Sequence, residues 1–182
     1  MTSASPDLSA APDRRRQFEA LVREYEAPLL RYAARIVLDN DAAQDVVQQT
    51  FINLLHHWRG AWQAGADLSN WLYRVAHNCA VDYLRREARR RRLHERHAEE
   101  QPDAAPPDRG AAFQVSDAAA AAHEALQRLS LRERQLVILK VYEEKSYKEI
   151  GAITGLTVTN VGYILHQAMR KLAQELRKAE QP

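Results

Sequence analysis

Apolar residues recur at helical spacing along two stretches of this chain, and the stretch between them lacks any such period. The first pattern carries Phe18, Leu21, Val22 and Tyr25, then continues past Pro28 through Leu29, Tyr32, Ala33 and Ile36. Intervals of three and four put these side chains on one helix face. Asp39, Asn40 and Asp41 read as a turn, and Asp41 with Gln44 fits a capping box, in which side chains satisfy free amides at a helix start. The helix that follows lines up Ala43, Val46, Val47, Thr50, Phe51, Leu54 and Trp58, and its opposite face carries Asp45, Gln48, Gln49, Asn53 and His56. Residues 60–67 read as a loop, and a third helix turns Leu68, Leu72, Val75, Cys79 and Tyr83 inward.

The second pattern opens at Ser130, with Glu133 three residues on, and a second box pairs Ser146 with Glu149. A short helix over 147–153, a turn through Thr154, Gly155 and Leu156, and a longer helix over 158–177 follow. Thr157 is its N-cap, Leu156 and Val161 fit a hydrophobic staple, and Val161, Leu165, Ala168, Leu172 and Leu176 point inward. Between the two patterns, Pro102, Pro106 and Pro107 remove amide donors and bias the preceding residues away from helix. The chain therefore reads as all-α. A disordered leader (1–13), a helical domain (14–92), a flexible acidic Pro-rich linker (93–122) and a second helical domain (123–182) follow one another.

Composition narrows the classes. With 46% hydrophobic and 27% charged residues the chain can pack a core. A single cysteine, Cys79, forbids an internal disulfide and suits a reducing cytoplasm. No stretch approaches the roughly 18 apolar residues of a membrane span, and the start is not a secretory signal. The net charge of +2 hides an asymmetry: 14–92 carries +5, 93–122 carries −4 and 123–182 carries +3. Two basic blocks around an acidic connector suit contact with a polyanion, although two ordinary solvated helical surfaces would show the same balance.

Three constellations stand out. A short helix, a glycine-containing turn and a longer helix make a helix-turn-helix, which holds its second helix where it can enter a major groove. On the third helix Asn70, Arg74, His77, Asn78 and Arg85 recur at intervals that share a face, Trp71 and Tyr73 lie near its start, and the arginine-rich run 85–92 prolongs it. Arginines neutralise phosphates and aromatics stack on unpaired bases, though an arginine-rich helix end also suits the helix dipole. Trp58 and Trp62 bracket a glycine loop; Trp58 follows the core period, while Trp62 is either an exposed stacking surface or a lid on the core. Catalysis has no foothold: His77 with Cys79 gives two ligands at most, and the 94–97 segment lacks a metalloprotease spacing. No metal, cofactor or small-molecule substrate is expected.

The residues at this point resemble the extracytoplasmic-function (ECF) sigma factors, the smallest members of the sigma-70-type family. Ala43-Gln44-Asp45-Val46-Val47-Gln48-Gln49-Thr50-Phe51 is similar to the family's polymerase-docking helix, and Asn70-Trp71-Leu72-Tyr73-Arg74-Val75-Ala76-His77-Asn78 with Asp82-Tyr83-Leu84-Arg85-Arg86 resembles its −10 helix. In the second block, Leu129-Ser130-Leu131-Arg132-Glu133-Arg134 and Ser146-Tyr147-Lys148-Glu149-Ile150-Gly151, followed by Thr154-Gly155, resemble the family's second conserved region.

The resemblance implies a non-enzymatic cytoplasmic subunit that binds core RNA polymerase, recognises −10 and −35 promoter elements and initiates transcription. Asp45, Gln48, Gln49 and Asn53 would meet the clamp of the largest subunit. Trp62, Asn70, Arg74, His77, Asn78, Arg85 and Arg86 would lie at the −10 element. Thr157, Thr159, Asn160, Tyr163, His166, Gln167, Arg170 and Lys171 would lie at the −35 element, with the second domain seated on the polymerase flap. An anti-sigma factor is an implied partner, although no residue here is diagnostic of one. The connector fits as well: about 25 base pairs between the elements span about 85 Å, and thirty extended residues reach about 100 Å. One departure is clear. Three positions that are usually basic in the recognition helix are here Gly162, Ile164 and Gln167. That departure keeps two alternatives open: a sigma-like adaptor that binds no promoter, and a stand-alone helix-turn-helix repressor.

Overall fold

The computed structural model describes residues 10–59, 62–100 and 124–179, with side chains over 14–59, 62–94 and 124–177. Every regular element among them is helical. Helix α1 spans Ala10–Val37, α2 Asn40–His57 and α3 Ala66–Glu100. After a helical turn at 124–127, α4 (Leu131–Val137) runs directly into a π-helical turn, Ile138–Tyr142. Helix α5 (Tyr147–Thr154) and helix α6 (Val158–Ala179) complete the chain.

The first three helices pack mutually around Leu21, Leu29 and Ile36 of α1, Val46, Phe51 and Leu54 of α2, and Leu68 and Leu72 of α3. Each such side chain withdrawn from water contributes about 1.5–3 kcal/mol. Pro28 lies inside α1 and removes one helical donor. The helix nevertheless continues, because Leu29, Tyr32, Ala33 and Ile36 beyond it are wholly buried. Leu38, at φ 62°, ends α1 in the left-handed region, and its amide donates to Ala34 at 2.8 Å.

Several sequence expectations need correction. The leader was expected to run to residue 13, but α1 already starts at Ala10; residues 1–9 lie outside those described. The cap of α2 is Asp39, whose carboxylate accepts from the Ala42 amide at 2.9 Å, and not the Asp41–Gln44 pair. Both are acidic starts, and the one in extended backbone can reach back to the free amides. Helix α3 continues through the first eight residues assigned to the linker, since the first proline comes only at Pro102. The Pro-rich remainder of that linker is not among the described residues. The buried stripe of α3 is Leu68, Leu72, Tyr73, Ala76 and Ala80, while Val75, Cys79 and Tyr83 are half-buried. Helix α3 is covered by α1 on one flank and by the second unit on another, so its buried arc is rotated and includes Tyr73.

In the second unit both capping boxes form: Ser130 Oγ accepts from the Glu133 amide at 3.3 Å and Ser146 Oγ from the Glu149 amide at 3.2 Å. Residues 133–139 are buried without interruption, including Glu133, Arg134 and Gln135, so α4 is enclosed from Glu133 onward. The π turn closes when the Glu143 amide donates to Ile138 at 3.1 Å and the Lys145 amide to Leu139 at 2.9 Å, with Glu144 at φ 52°. Leu176, expected inside, is 40% exposed because α6 extends beyond the elements that cover Val161, Leu165 and Ala168. The two units share one continuous core, and the Arg134 guanidinium ties them. It donates to Ile36 O at the end of α1 (2.8 Å), to Leu126 O (3.0 Å) and to Gln127 O (3.4 Å). One cation thereby gathers carbonyls from two helix C-termini, of which Leu126 O also accepts from the Leu129 amide at 3.2 Å.

Candidate nucleic-acid interface

The helix-turn-helix is built from α5, the turn and α6. Gly155 adopts φ 75°, a left-handed backbone that glycine takes without strain, and its amide donates to Gly151 O at 2.8 Å. Gly151 is required for a different reason: a Cβ there would lie 2.8 Å from Leu156 O. Thr157 caps α6, accepting from the Asn160 amide at 3.3 Å. With Val161, Leu165 and Ala168 buried, the opposite face presents Thr157, Thr159, Asn160, Tyr163 (66% exposed), His166 and Arg170.

Two residues assigned to that face do other work. Lys171 Nζ pairs with Glu133 Oε1 at 2.6 Å, bracing α6 against the start of α4. Burial would raise the Glu133 carboxyl, but Lys171 and Ser130 outweigh it and hold the group below its usual range. Gln167 is half-buried and accepts from Arg170 Nη2 at 2.6 Å. Gly162 packs against Tyr147, whose ring would lie 3.4 Å from an added Cβ, so its small size serves the α5–α6 contact.

The seven positions assigned to the −10 element divide into two groups. Asn78, Arg85 and Arg86 point outward, with Arg85 3.7 Å from Asp82. Of the other four, Trp62, Arg74 and His77 are engaged within the chain and Asn70 is half-buried in it. Trp62 is a lid on the core: it packs against Phe18 at 6.4 Å, and the Arg14 guanidinium lies 4.7 Å above its ring. Asn70 is half-buried, its Oδ1 buried without a donor. His77 Nδ1 meets the Tyr32 hydroxyl at 3.3 Å; burial, and then Arg132, push its pKa down to about 4, so the imidazole is neutral at pH 7. Arg74 donates to the Ala152 and Ile153 carbonyls at the end of α5. Sequence reasoning missed the residues that meet the first unit here from the second, namely Arg132, Glu143 and Lys145 on the α3 face and Tyr142 against Arg35 of α1. No local pattern marks them, because their partners lie more than fifty positions away.

On α2, Asp45, Gln48 and Gln49 are exposed along one edge. Asn53 turns inward instead, donating to Cys79 Sγ at 3.5 Å and accepting from Gln49 at 3.4 Å. Burial raises the Cys79 thiol, which leaves it un-ionised and inert. Beside Gln44 and Gln48, an open groove of about 500 Å³ between α1 and α2 is lined by Phe18, Val22, Phe51 and Ile52. Among the described residues no cluster of His, Cys, Asp or Glu could hold a metal, and no helix is long and apolar enough to cross a membrane.

Residues 21–90 match sigma-70 region 2, and residues 119–172 match sigma-70 region 4. The chain is 31% identical to the RNA polymerase sigma factor CarQ of Myxococcus xanthus, covering 90% of this chain and 91% of that one. It is 32% identical to the RNA polymerase sigma-E factor of Streptomyces avermitilis, with coverage of 90% and 87%. CnrH in complex with the cytosolic domain of CnrY has the same fold, at a TM-score of 0.66 and 24% identity over 93% of this chain and 94% of that one. RpoE of Bartonella quintana, solved with the anti-sigma factor NepR, matches at a TM-score of 0.57 and 20% identity over 88% and 96%. With both regions present in order on an all-helical frame, the chain belongs to the ECF subfamily of sigma-70-type RNA polymerase sigma factors.

Proposed function

We propose a division of labour in which α2 docks on the clamp of core polymerase, α3 reads and holds the opening −10 element, and α6 reads the −35 element. The observation that carries this reading is the α6 face itself. Thr157, Thr159, Asn160, Tyr163 and His166 stand clear of the core at the N-terminal half of a helix held out by a glycine turn. Polar side chains in that position contact base edges and phosphates in a major groove. On α2, the row Asp45, Gln48 and Gln49 beside an apolar groove suits a helical partner, with Asn53 supporting the row from behind. Of the seven positions assigned to the −10 element, Asn78, Arg85 and Arg86 are free to meet DNA in the arrangement observed.

No step in this work needs an enzymatic group. Captured bases return roughly 1–3 kcal/mol each against the loss of stacking, and polymerase supplies the chemistry. The chain would act in the cytoplasm, and an anti-sigma factor, the kind of partner seen with its relative RpoE, would restrain it.

Reconstitution with core polymerase, followed by run-off transcription and start-site mapping, tests the reading. Start sites preceded by a shared −10 and −35 pair are the expected result. Polymerase binding without promoter-specific starts would mean an adaptor, and promoter binding without polymerase a repressor. The adaptor reading draws on one observation: Lys and Arg are absent from α6 until Arg170.

A further inference from the structure

We propose that the reading face of α6 selects a −35 element of A·T pairs, with Asn160 addressing an adenine and Tyr163 the methyl group of a neighbouring thymine. The proposal rests on the −35 reading above and goes beyond it by naming the bases.

Exposure and spacing define the face. Thr159, Tyr163 and His166 follow one another at intervals of four and three, all exposed, opposite the buried Val161, Leu165 and Ala168. Exposed Asn160 flanks this stripe on one side, and exposed Val158 and Met169 flank it on the other. The amide and the aromatic ring thus stand within one turn of each other at the N-terminal end of the helix. That end contacts base edges when such a helix enters a major groove.

The chemistry of the base edges decides which bases suit this face. In the major groove guanine shows two acceptors and cytosine an amino donor, whereas adenine shows an acceptor beside an amino donor and thymine an acceptor beside a methyl group. Guanine is matched by the donors of Arg or Lys, and cytosine by a carboxylate. From Val158 to Met169 the helix contains no Arg, Lys, Asp or Glu, so neither member of a G·C pair meets its usual reader. Both readers of an A·T pair are present. The Asn160 amide carries an acceptor and a donor, the complement of adenine N6 and N7. Tyr163, 66% exposed, holds its ring outside the core, where it can cover a thymine methyl. Its hydroxyl remains for a phosphate. Three residues advance a helix by about 4.5 Å, and bases along a strand are spaced about 3.4 Å apart, so the two side chains meet adjacent pairs.

The remaining groups do not restore a guanine reader. Arg170 lies about 16 Å along the axis from Thr159, beyond the reading end, and its guanidinium donates to Gln167 Oε1 at 2.6 Å. The same bond engages the carbonyl that Gln167 would need for an adenine of its own. His166 can aim at most one ring donor at a given base, short of the two that guanine accepts. Gly162 brings no side chain, and the Tyr147 ring of α5 stands 3.4 Å from where its Cβ would be, which leaves that flank without a charge.

The test uses the full chain with core polymerase. Templates randomised across the −35 region, upstream of a −10 element found by start-site mapping, compete in run-off transcription. A·T pairs are expected to be enriched at adjacent positions. Base analogues in the selected template then separate contact from DNA shape. Deoxyuridine in place of the thymine removes only a methyl group and should lower template use about fourfold. A 7-deazaadenine removes only N7 and should lower it about tenfold. Tyr163→Ala should abolish the first penalty and keep the second, and Asn160→Ala the reverse. Tyr163→Arg supplies the missing cationic fork and should admit guanine in place of an A·T base. Both positions are exposed, circular dichroism melting checks that each variant is folded, and every penalty is a ratio within one variant, so a general loss of activity does not hide it. Guanine enriched by the native chain would overturn the base assignment and leave the −35 reading standing. Enrichment of A·T pairs with no analogue penalty would mean that DNA shape is read, and would overturn the assignment too. Indifference to every base of the −35 region would overturn this proposal and the −35 reading together.

Discussion

Helices α3 and α6 both carry side chains proposed above to face DNA, yet they solve the problem of an unoccupied binding face in opposite ways. Along α6 before Arg170 the exposed residues carry no lysine or arginine, and Thr159, Asn160, Tyr163 and His166 face solvent. Along α3 the polar face carries a fixed cation at Arg74, and that cation finds acceptors inside its own chain. A cationic face is readily covered, because free helix carbonyls attract it; a neutral face gains little from the same contact and stays open. On the proposed roles, the reading face of α6 stays open, while on α3 the cation at Arg74 is covered and those at Arg85 and Arg86 are not.

The contrast can be broken most forcefully at the tie between the units. Arg134→Ala strips three carbonyls of a buried charged donor, and hydrogen bonds to charged groups contribute about 1.5–3 kcal/mol. Urea unfolding should show a loss of about 3 kcal/mol, with Arg134→Lys recovering less than half of it because an ammonium cannot reproduce the planar fork. A loss below about 1 kcal/mol would mean that the two units are not held by this residue.

A second perturbation acts on the α3 face through pH. His77 is held neutral, with a pKa of about 4 in the folded chain against an ordinary value near 6.5. Folding therefore excludes a proton that the unfolded chain accepts. Stability from this group is complete above about pH 6.5 and is lost as pH falls toward about 4, at up to about 1.4 kcal/mol per pH unit. Denaturation midpoints measured at pH 7.5 and 5.0 should diverge for the native chain, and His77→Gln should remove that part of the divergence.

A third pair of substitutions sharpens the contrast within α6. Arg170, exposed beside the reading face, should lower the salt slope of promoter binding by about 1 when changed to Gln. Lys171→Gln should leave that slope unchanged and instead cost about 1 kcal/mol of stability, because its charge is committed to Glu133. Equal slopes for both variants would restore Lys171 to the DNA-contacting set. The smallest expected effect lies at the end of the π turn. Glu144→Gly relieves a left-handed backbone that costs a non-glycine residue about 1 kcal/mol, so the melting temperature should rise by a few degrees.

Local signals in the chain were read correctly where the cause is local. The Ser130 and Ser146 boxes, the Thr157 cap and the Gly155 turn each depend on residues within five positions, and all stand where the pattern puts them. The cap of α2 was misplaced by two residues because Asp39 and Asp41 are chemically equivalent, and only the backbone angle at Asp39 distinguishes them. Of the candidate site, the outward residues of α6, together with Asp45, Gln48 and Gln49 of α2, were legible from periodicity alone. Asn53, Trp62, His77 and Lys171 were not, because each is claimed by a partner on another helix.

Amino-acid order by itself determined the helices, their stops, the separation into two units and the chemistry on offer along each face, since all of these follow from spacing, propensity and capping over a few residues. Tertiary structure alone decided which of those offers stay open. Whether an arginine meets solvent, a phosphate or the carbonyl end of a helix some eighty positions away depends on chain segments brought together in space, and a one-dimensional pattern holds no trace of that choice.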